Sequence, residues 1–333
     1  MAHPITQDQA AGALVAMALG DSLGFLVSGQ NPRYCKEFTQ HSLTDDDPPW
    51  LERDGFAFGQ YAIDTQLARE LAQSMVDSRG FDPTNFATRV AQFFAAESAV
   101  MAGEATTKAG LRLSRGMVWA QSGEPAPAAG NGAAIRAVPI GLCFKNSERR
   151  LGAADMQASV THHDKRARAA AQVVAESVYL AATSEVDPAT WLPHLSAIVD
   201  RVDPRLANGL RHLDRQLASP PDKALEQLIP AGQVPDDGYP APKTISGFST
   251  PTILYGLQVF MRLPDDPHQA LEFGLGGGGD TSSLGAFVGA LCGARNGLSG
   301  LSPRLQKWSR QINDNGRHKL AELVALAHHL VSR

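Results

Sequence analysis

The residues best suited to chemistry follow a run of glycines at positions 276–279. Asp280, Ser282 and Ser283 come directly after it, where a helix is predicted to begin. Glycine allows the backbone to approach a ligand closely, and side-chain oxygens at a helix start cap free amides where the dipole favours anions. The segment predicts a phosphate or metal site, and an ordinary glycine-rich turn before a buried helix is the alternative.

Similar polar groups stand at predicted helix ends in segments 20–24, 61–65, 130–132 and 161–164. Glycine-rich approaches to helix N-termini bind anions through free backbone amides. If the segments converge, they form a pocket for a phosphorylated ligand. Asp21 lies on the apolar side of its helix, so it must be paired, capping or functional, and structural capping is favoured.

Helical periodicity dominates the chain, and strand signals are scarce. Thr6 and Gln9 have the spacing of a capping box that opens the first helix. Gly285, Gly289 and Gly293 form a stripe that predicts close packing against another helix. Another helix is predicted to start near Asp64. Further helices are predicted over 87–101, over 108–120 (a weaker pattern), over 167–182, after Pro251 and over about 316–331. Two or three surface helices are predicted within 188–232.

Residues 28–60 are rich in glycine, proline and acidic side chains and are predicted to form a long irregular excursion. Long loops of this kind are often functional. The acidic stretch 44–47 is interpreted as a solvated loop, although it could also fold over the site and supply carboxylates.

Composition excludes several classes of protein. The chain has 333 residues, of which 43% are hydrophobic, and a net charge of −4 that gives no electrostatic case for nucleic acid. The scattered Cys35, Cys143 and Cys292 argue against a disulfide framework or a cysteine–zinc site. The N-terminus lacks a signal-peptide pattern, and we expect no apolar stretch to approach the ~20 residues that a membrane span needs. We expect a cytoplasmic, all-α protein with one domain over 1–333, a core from about 6 to 331, and no membrane partner.

The order and content of these segments resemble the ADP-ribosylglycohydrolase family, which includes dinitrogenase-reductase-activating glycohydrolases and ADP-ribosyl-acceptor hydrolases. The resemblance extends from about residue 10 to 310. It implies a compact all-α domain that binds ADP-ribose, or an ADP-ribosylated molecule, in a cleft and hydrolyses the glycosidic bond at the distal ribose. The matching pieces are 12–14 with 20–24, 64–68, 130–141, 161–162 and 278–281.

Most members of that family hold two Mg²⁺ ions between two loops, and here both loops depart from the pattern. Residues 62–65 replace Thr-Asp-Asp-Thr with Ala-Ile-Asp-Thr, Ser282 replaces an aspartate, and Ser28 stands where a glutamate is common. The ligand positions retained are Asp64, Asp280 and Ser283. Because Mg²⁺ needs octahedral oxygen coordination with carboxylate charge, we expect no dinuclear site and at most one weakly bound ion.

The segments that would bind the ligand match better. The resemblance implies that residues 130–132 lie along the diphosphate and that His162 lies near the phosphates or adenosine, unless His162 only bonds nearby backbone. Arg136 could pair with phosphate or be structural. The predicted ligand-binding residues are Asp21, Gly130, Asn131, Gly132, His162, Gly277, Gly278, Gly279 and Ser282.

Three functions remain open at this point. The favoured one is an enzyme that cleaves an ADP-ribosyl bond, in which Asp64 or Asp280 acts as general base or stabilises oxocarbenium character. The alternative is a family member that binds or senses ADP-ribose without hydrolysis. A purely structural protein explains the intact glycine loops at 130–132 and 276–279 poorly.

Overall fold

Helices form most of the computed structural model, which describes residues 3–44, 47, 52–232 and 242–332. The elements are α1 (Gln7–Val27), α2 (Pro32–Ser42), β1 (Glu52–Arg53), β2 (Phe56–Ala57), α3 (Ile63–Asp77), α4 (Pro83–Ala95), α5 (Glu104–Ser114), α6 (Trp119–Ser122), α7 (Gly132–Ile135), α8 (Val138–Cys143), α9 (Ser147–Ser159), α10 (Lys165–Thr183), a 3₁₀ helix (Pro188–Trp191), α11 (Leu192–Val199), α12 (Pro204–Arg211), α13 (Leu213–Ala218), α14 (Pro221–Leu228), α15 (Ser249–Arg262), α16 (Pro267–Gly276), α17 (Thr281–Asn296), α18 (Pro303–Ser309) and α19 (Leu320–Val331). A cluster of buried apolar side chains extends from Ala10 to Leu330, which agrees with one all-α domain.

Two glycine-rich helices, α1 and α17, lie against each other at the centre of this core. A Cβ atom added to Gly289 would lie 2.1 Å from the Ala16 carbonyl oxygen, and one on Gly20 would lie 2.0 Å from that of Gly285. The predicted glycine stripe for close packing is therefore confirmed. The contact also brings the end of α1 against the start of α17, where Thr281 Oγ1 donates to the Gly24 carbonyl at 2.7 Å.

The length of α1 corrects the sequence analysis. Opened by the predicted Thr6–Gln9 capping box, α1 has 21 residues and a mean hydropathy of 1.8 in its most apolar window. By length and composition it could cross a membrane, so the expectation that no apolar stretch reaches that length was wrong. All of that window is buried inside the protein, as expected of a core helix.

The start of α3 is held by α1. Asp21 Oδ2 accepts a hydrogen bond from the Thr65 amide at 3.1 Å, which satisfies a free donor in the first turn of α3. Ile63 donates its amide to the Val100 carbonyl at 2.9 Å, and Gln66 accepts the Val100 amide at 3.0 Å. The capping role favoured for Asp21 is present, and it acts on a neighbouring helix.

Residues 28–60 are more regular than predicted. They contain helix α2, which Asn31 caps through the Tyr34 amide at 3.0 Å, and the antiparallel pair β1–β2. Proline at the first position of α2 favours a helix start, a signal that was interpreted only as a loop. Of the acidic stretch, residues 45 and 46 lie outside the described part of the chain, and Asp47 pairs with Lys307 at 2.9 Å.

Several other helices begin or end at residues different from those predicted. The helix predicted over 87–101 is α4, because Asp82 and Pro83 start it earlier and Met101 adopts a φ of 56° outside it. The segment 108–120 divides into α5 and α6, and the last helix starts at Leu320, after a turn that includes Gly316 at φ 77°. Residues 188–232 contain more and shorter helices than predicted, α11 to α14 and the 3₁₀ helix.

Candidate active site

A cavity of about 120 Å³ lies where the helix starts of α3, α7 and α17 meet. The structure thus brings together segments whose convergence the sequence could not establish. Its lining residues are Ile63, Asp64, Met101, Gly103, Thr106, Gly130, Asn131, Gly132, His162, Gly247, Asp280, Ser282 and Ser283.

Asp280 joins the two loops that border the cavity. As the N-cap of α17, it accepts the Ser283 amide through Oδ1 at 3.4 Å. Its Oδ2 atom accepts a hydrogen bond from Asn131 Nδ2 at 2.7 Å. A Cβ atom on Gly247 would lie 3.3 Å from that same oxygen, so glycine at 247 leaves it room. Both oxygens of Asp280 therefore accept hydrogen bonds.

Asp64 lies in the first turn of α3 and is 4% exposed. Ser283 Oγ donates to its Oδ2 atom at 2.5 Å. Burial, together with the negative charges of Asp21 and Asp280, raises the pKa of Asp64 to about 8, although the Ser283 hydrogen bond opposes the increase. A proton, or a cation beside it, would relieve this repulsion.

Asp21 and Ser282 form a buried pair behind the cavity. Ser282 Oγ donates to Asp21 Oδ1 at 2.5 Å, and Asp21 is fully buried. Burial raises the pKa of Asp21 to about 6 despite hydrogen bonds from Ser282 and Thr65. Asp21 is absent from the wall of this cavity and supports Ser282 from beneath, so its predicted contact with the ligand stays a prediction.

His162 and Arg136 occupy different positions. His162 lines the cavity, and its Nδ1 atom lies 2.8 Å from Thr161 Oγ1, so its partner is a side chain. Burial and the Arg136 charge lower the pKa of His162 to about 3. Arg136 is fully buried outside the cavity wall, where it donates to Gln157 Oε1 at 2.8 Å. Of the two roles left open for Arg136, the structure supports the structural one.

The glycines 277–279 do not line this cavity, and their predicted contact with the ligand stays a prediction. Added Cβ atoms would lie 2.6 Å from the Tyr255 hydroxyl at Gly277, 2.7 Å from the Pro32 nitrogen at Gly278 and 2.0 Å from the Ile245 oxygen at Gly279. Gly278 and Gly279 also have φ values of 68° and 80°, which favour glycine. These positions are glycine because neighbouring segments approach their backbone. Ser28 also lies outside the wall and accepts an Arg53 hydrogen bond through its carbonyl at 2.5 Å.

Five wall residues are not among the predicted site residues: Ile63, Met101, Gly103, Thr106 and Gly247. Gly103 stands immediately before α5, and this helix-start position is the one signal that could have indicated it. Met101 is the last residue of the helix predicted over 87–101, and Gly247 has no polar side chain that would attract attention.

A divalent ion such as Mg²⁺ needs several oxygen ligands close together. Among the described residues, no group of three or more histidine, cysteine or acidic side chains is placed to hold an ion. The cavity does offer the carboxyl groups of Asp64 and Asp280 and the hydroxyl of Ser283. Since Mg²⁺ often binds through one or two carboxylates and keeps several waters, these donors fit a single ion.

Comparisons with known proteins identify the family of the chain. The family model of ADP-ribosylglycohydrolase matches residues 2–333. The chain is 25% identical to the ADP-ribosylhydrolase ARH3 of Gallus gallus, covering 88% of this chain and 86% of that protein. It is 25% identical to the ADP-ribosylarginine hydrolase Tri1 of Pseudomonas putida, covering 92% and 76%.

A solved structure has the same fold. A chain of an ADP-ribosylglycohydrolase-related protein complex superimposes with a TM-score of 0.69 at 25% identity, covering 98% of this chain and 97% of that one. Similarity over nearly the full length shows that the helical architecture is shared from end to end.

Proposed function

Because the chain belongs to the ADP-ribosylglycohydrolase family, we propose that it binds the ADP-ribosyl group of an ADP-ribosylated molecule and hydrolyses its distal glycosidic bond. The observation that carries this proposal is the convergence of Asp64, Asp280 and the 130–132 loop on one cavity. The similarity to an ADP-ribosylhydrolase and to an ADP-ribosylarginine hydrolase supports the same class of substrate.

The size of the cavity supports a particular placement. At about 120 Å³ it is smaller than the roughly 300–1,000 Å³ of sites that enclose a whole small molecule. We therefore place the distal ribose between Asp64 and Asp280 and the diphosphate along the 130–132 loop. A Cβ atom on Gly130 would lie 3.1 Å from His162 Nε2, so glycine keeps that nitrogen open toward the ligand.

The two carboxyl groups are suited to different tasks. Asp280 only accepts hydrogen bonds, so it orients the attacking water and takes its proton. In the metal-free site Asp64 retains its proton near neutral pH, so in that state it can supply a proton to the leaving group. Ser283 and Asn131 hold the two groups in position through the hydrogen bonds described above.

We further propose that the site holds at most one Mg²⁺ ion, through Asp64, Asp280 and Ser283. When bound, such an ion would polarise ribose oxygens as a Lewis acid. Ala62 and Ile63 are buried apolar residues, and Ser282 is bonded to Asp21, so charge for a second ion is lacking. The same losses favour the second candidate function, an ADP-ribose-binding protein that does not hydrolyse.

Release of ADP-ribose from peptides ADP-ribosylated on arginine or serine tests the proposal. We expect turnover by the unaltered protein and losses on the order of a hundredfold or more in Asp64→Asn and Asp280→Asn. Asp214→Asn, at an exposed position on α13, is the matched control and should retain activity. ADP-ribose binding without turnover would support the second candidate, and absence of both would contradict the two together.

A further inference from the structure

A chain of buried side chains leads from the protein interior to the nitrogen that His162 presents to the cavity. Arg136 Nη2 donates to Thr161 Oγ1 at 2.6 Å, and Thr161 Oγ1 lies 2.8 Å from His162 Nδ1. Arg136 and Thr161 are 0% exposed and His162 is 2% exposed. These contacts are therefore shielded from bulk solvent, and the neighbouring protein groups determine where each hydrogen lies. We call this chain the Arg136–Thr161–His162 relay.

The hydrogens available on each group determine which atom donates and which accepts in each hydrogen bond of the relay. A guanidinium has only donors, so the Thr161 oxygen must accept from Arg136. The Thr161 hydroxyl has one hydrogen to donate, and within the described part of the chain its remaining polar neighbour is His162 Nδ1. Burial disfavours the charged imidazolium, so the ring is neutral and carries one hydrogen. With Nδ1 accepting, that hydrogen lies on Nε2.

The far end of the relay is anchored as well. Gln157 Oε1 and the Gln157 carbonyl both accept from Arg136, at 2.8 Å and 3.0 Å. Gln157 Nε2 donates to the Ala133 carbonyl at 2.7 Å, which fixes the orientation of the amide. Ala133 follows the 130–132 loop directly, so the anchor of the relay and the loop that borders the cavity are tied together.

We infer that Arg136 and Thr161 are positioning residues that hold His162 in its Nε2–H tautomer, so that it offers a hydrogen-bond donor to an oxygen of the ligand. The identity of that oxygen, one of the diphosphate oxygens, rests on the proposed function. The other tautomer would present a lone pair at Gly130 and repel an anionic oxygen. Tautomer choice therefore contributes to recognition of the ligand.

The tautomer can be read directly by long-range ¹H–¹⁵N correlation spectroscopy on ¹⁵N-histidine-labelled, ligand-free protein. The chain has ten histidines, and loss of one signal set in His162→Gln or His162→Asn assigns the residue. We expect Nδ1 to be the unprotonated nitrogen and Nε2 the protonated one. A proton on Nδ1 in the unaltered protein would overturn the inference.

Variants at Thr161 separate the hydroxyl from the bulk of the side chain. Thr161→Ser keeps the hydroxyl and should keep the tautomer, whereas Thr161→Val should produce a mixture of tautomers. ADP-ribose affinity should fall on the order of tenfold to a hundredfold in Thr161→Val and remain within a fewfold in Thr161→Ser. Thr88→Val, at an exposed site on α4, is the matched control. An unchanged tautomer in Thr161→Val would overturn the role of Thr161.

The tautomer measurement and the ADP-ribose binding measurement together distinguish this inference from the proposed function. The expected tautomer in a protein that does not bind ADP-ribose would contradict the proposed function and leave the relay intact. ADP-ribose binding by a protein with the opposite tautomer would contradict the relay and leave the proposed function supported.

Discussion

Ser282 donates a hydrogen bond to the buried Asp21 at 2.5 Å, at a position where the related family usually has a carboxylate. A neutral hydroxyl at 282 satisfies Asp21, whereas an aspartate there would place two carboxyl groups together in a buried setting. This contact supports the proposal that the site holds at most one Mg²⁺ ion.

Restoring the carboxylate tests that explanation. We expect Ser282→Asp to lower the free energy of unfolding by about 1–4 kcal/mol in EDTA, because of like-charge repulsion and desolvation. Mg²⁺ should recover part of the loss. Urea unfolding with and without Mg²⁺ measures both effects, with Ser282→Ala as the control that lacks the added charge. Equal stability of Ser282→Asp and the unaltered protein in EDTA would show that Asp21 does not limit the charge at 282.

Removal of the Asn131 amide should impair Asp280. In Asn131→Ala, Asp280 Oδ2 loses the donor that joins it to the glycine loop. We expect ADP-ribose release to fall on the order of tenfold or more, with a smaller change in the free energy of unfolding. Kinetic assays should be run beside Asn208→Ala, at an exposed position on α12. Full activity of Asn131→Ala would show that Asp280 is positioned by other contacts.

Stability should decrease with rising pH in metal-free protein. The pKa of Asp64 is about 8 in the folded protein and about 3.8 unfolded, so the folded state holds the proton more tightly. The stabilising contribution of that proton is complete at low pH and is lost as pH rises toward 8. We expect the contribution of Asp64 to the free energy of unfolding to fall by roughly 2 kcal/mol between pH 6 and pH 8.

Denaturant titrations in EDTA at several pH values measure this decrease. Asp64→Asn cannot titrate, so its stability should vary much less over the same interval. A parallel pH profile for the two proteins would show that Asp64 is ionised in the folded state.

The contact between α1 and α17 gives a packing prediction. In Gly289→Ala the new methyl group would lie 2.1 Å from the Ala16 carbonyl oxygen, so the two helices must separate. We expect a loss of about 1–3 kcal/mol or more in the free energy of unfolding. Gly152→Ala is the control, since nothing lies within 4 Å of its added Cβ in the helix α9, and it should stabilise by about 0.5–1 kcal/mol. Thermal unfolding of both variants measures the difference.

Local chemistry explains which site residues the sequence could indicate. Asp64, Asp280 and residues 130–132 stand at helix starts, where a carboxylate or a glycine loop has a recognisable role. Met101 and Gly247 were missed because a methionine at positive φ and a single glycine have no periodic signal. Glycine serves close backbone packing and ligand approach equally, and at 277–279 the packing role became visible only from the neighbouring chain.

The fold likewise contains elements that the sequence could indicate and elements that it could not. Long amphipathic or glycine-striped segments such as α10 and α17 were predicted from periodicity. Helix α2 was missed because proline and nearby glycines were interpreted as loop signals, although Pro32 stands at a helix start. The boundary of α4 was misplaced because Asp82 and Pro83 start the helix before its apolar stripe begins.

Calorimetric titration of ADP-ribose into EDTA-treated and Mg²⁺-saturated protein tests the central claim most directly, when combined with a count of bound Mg²⁺ per chain. We predict binding of ADP-ribose in both conditions, with at most one Mg²⁺ bound per chain. Absence of heat in both conditions, or binding that requires two Mg²⁺ ions per chain, would contradict the account.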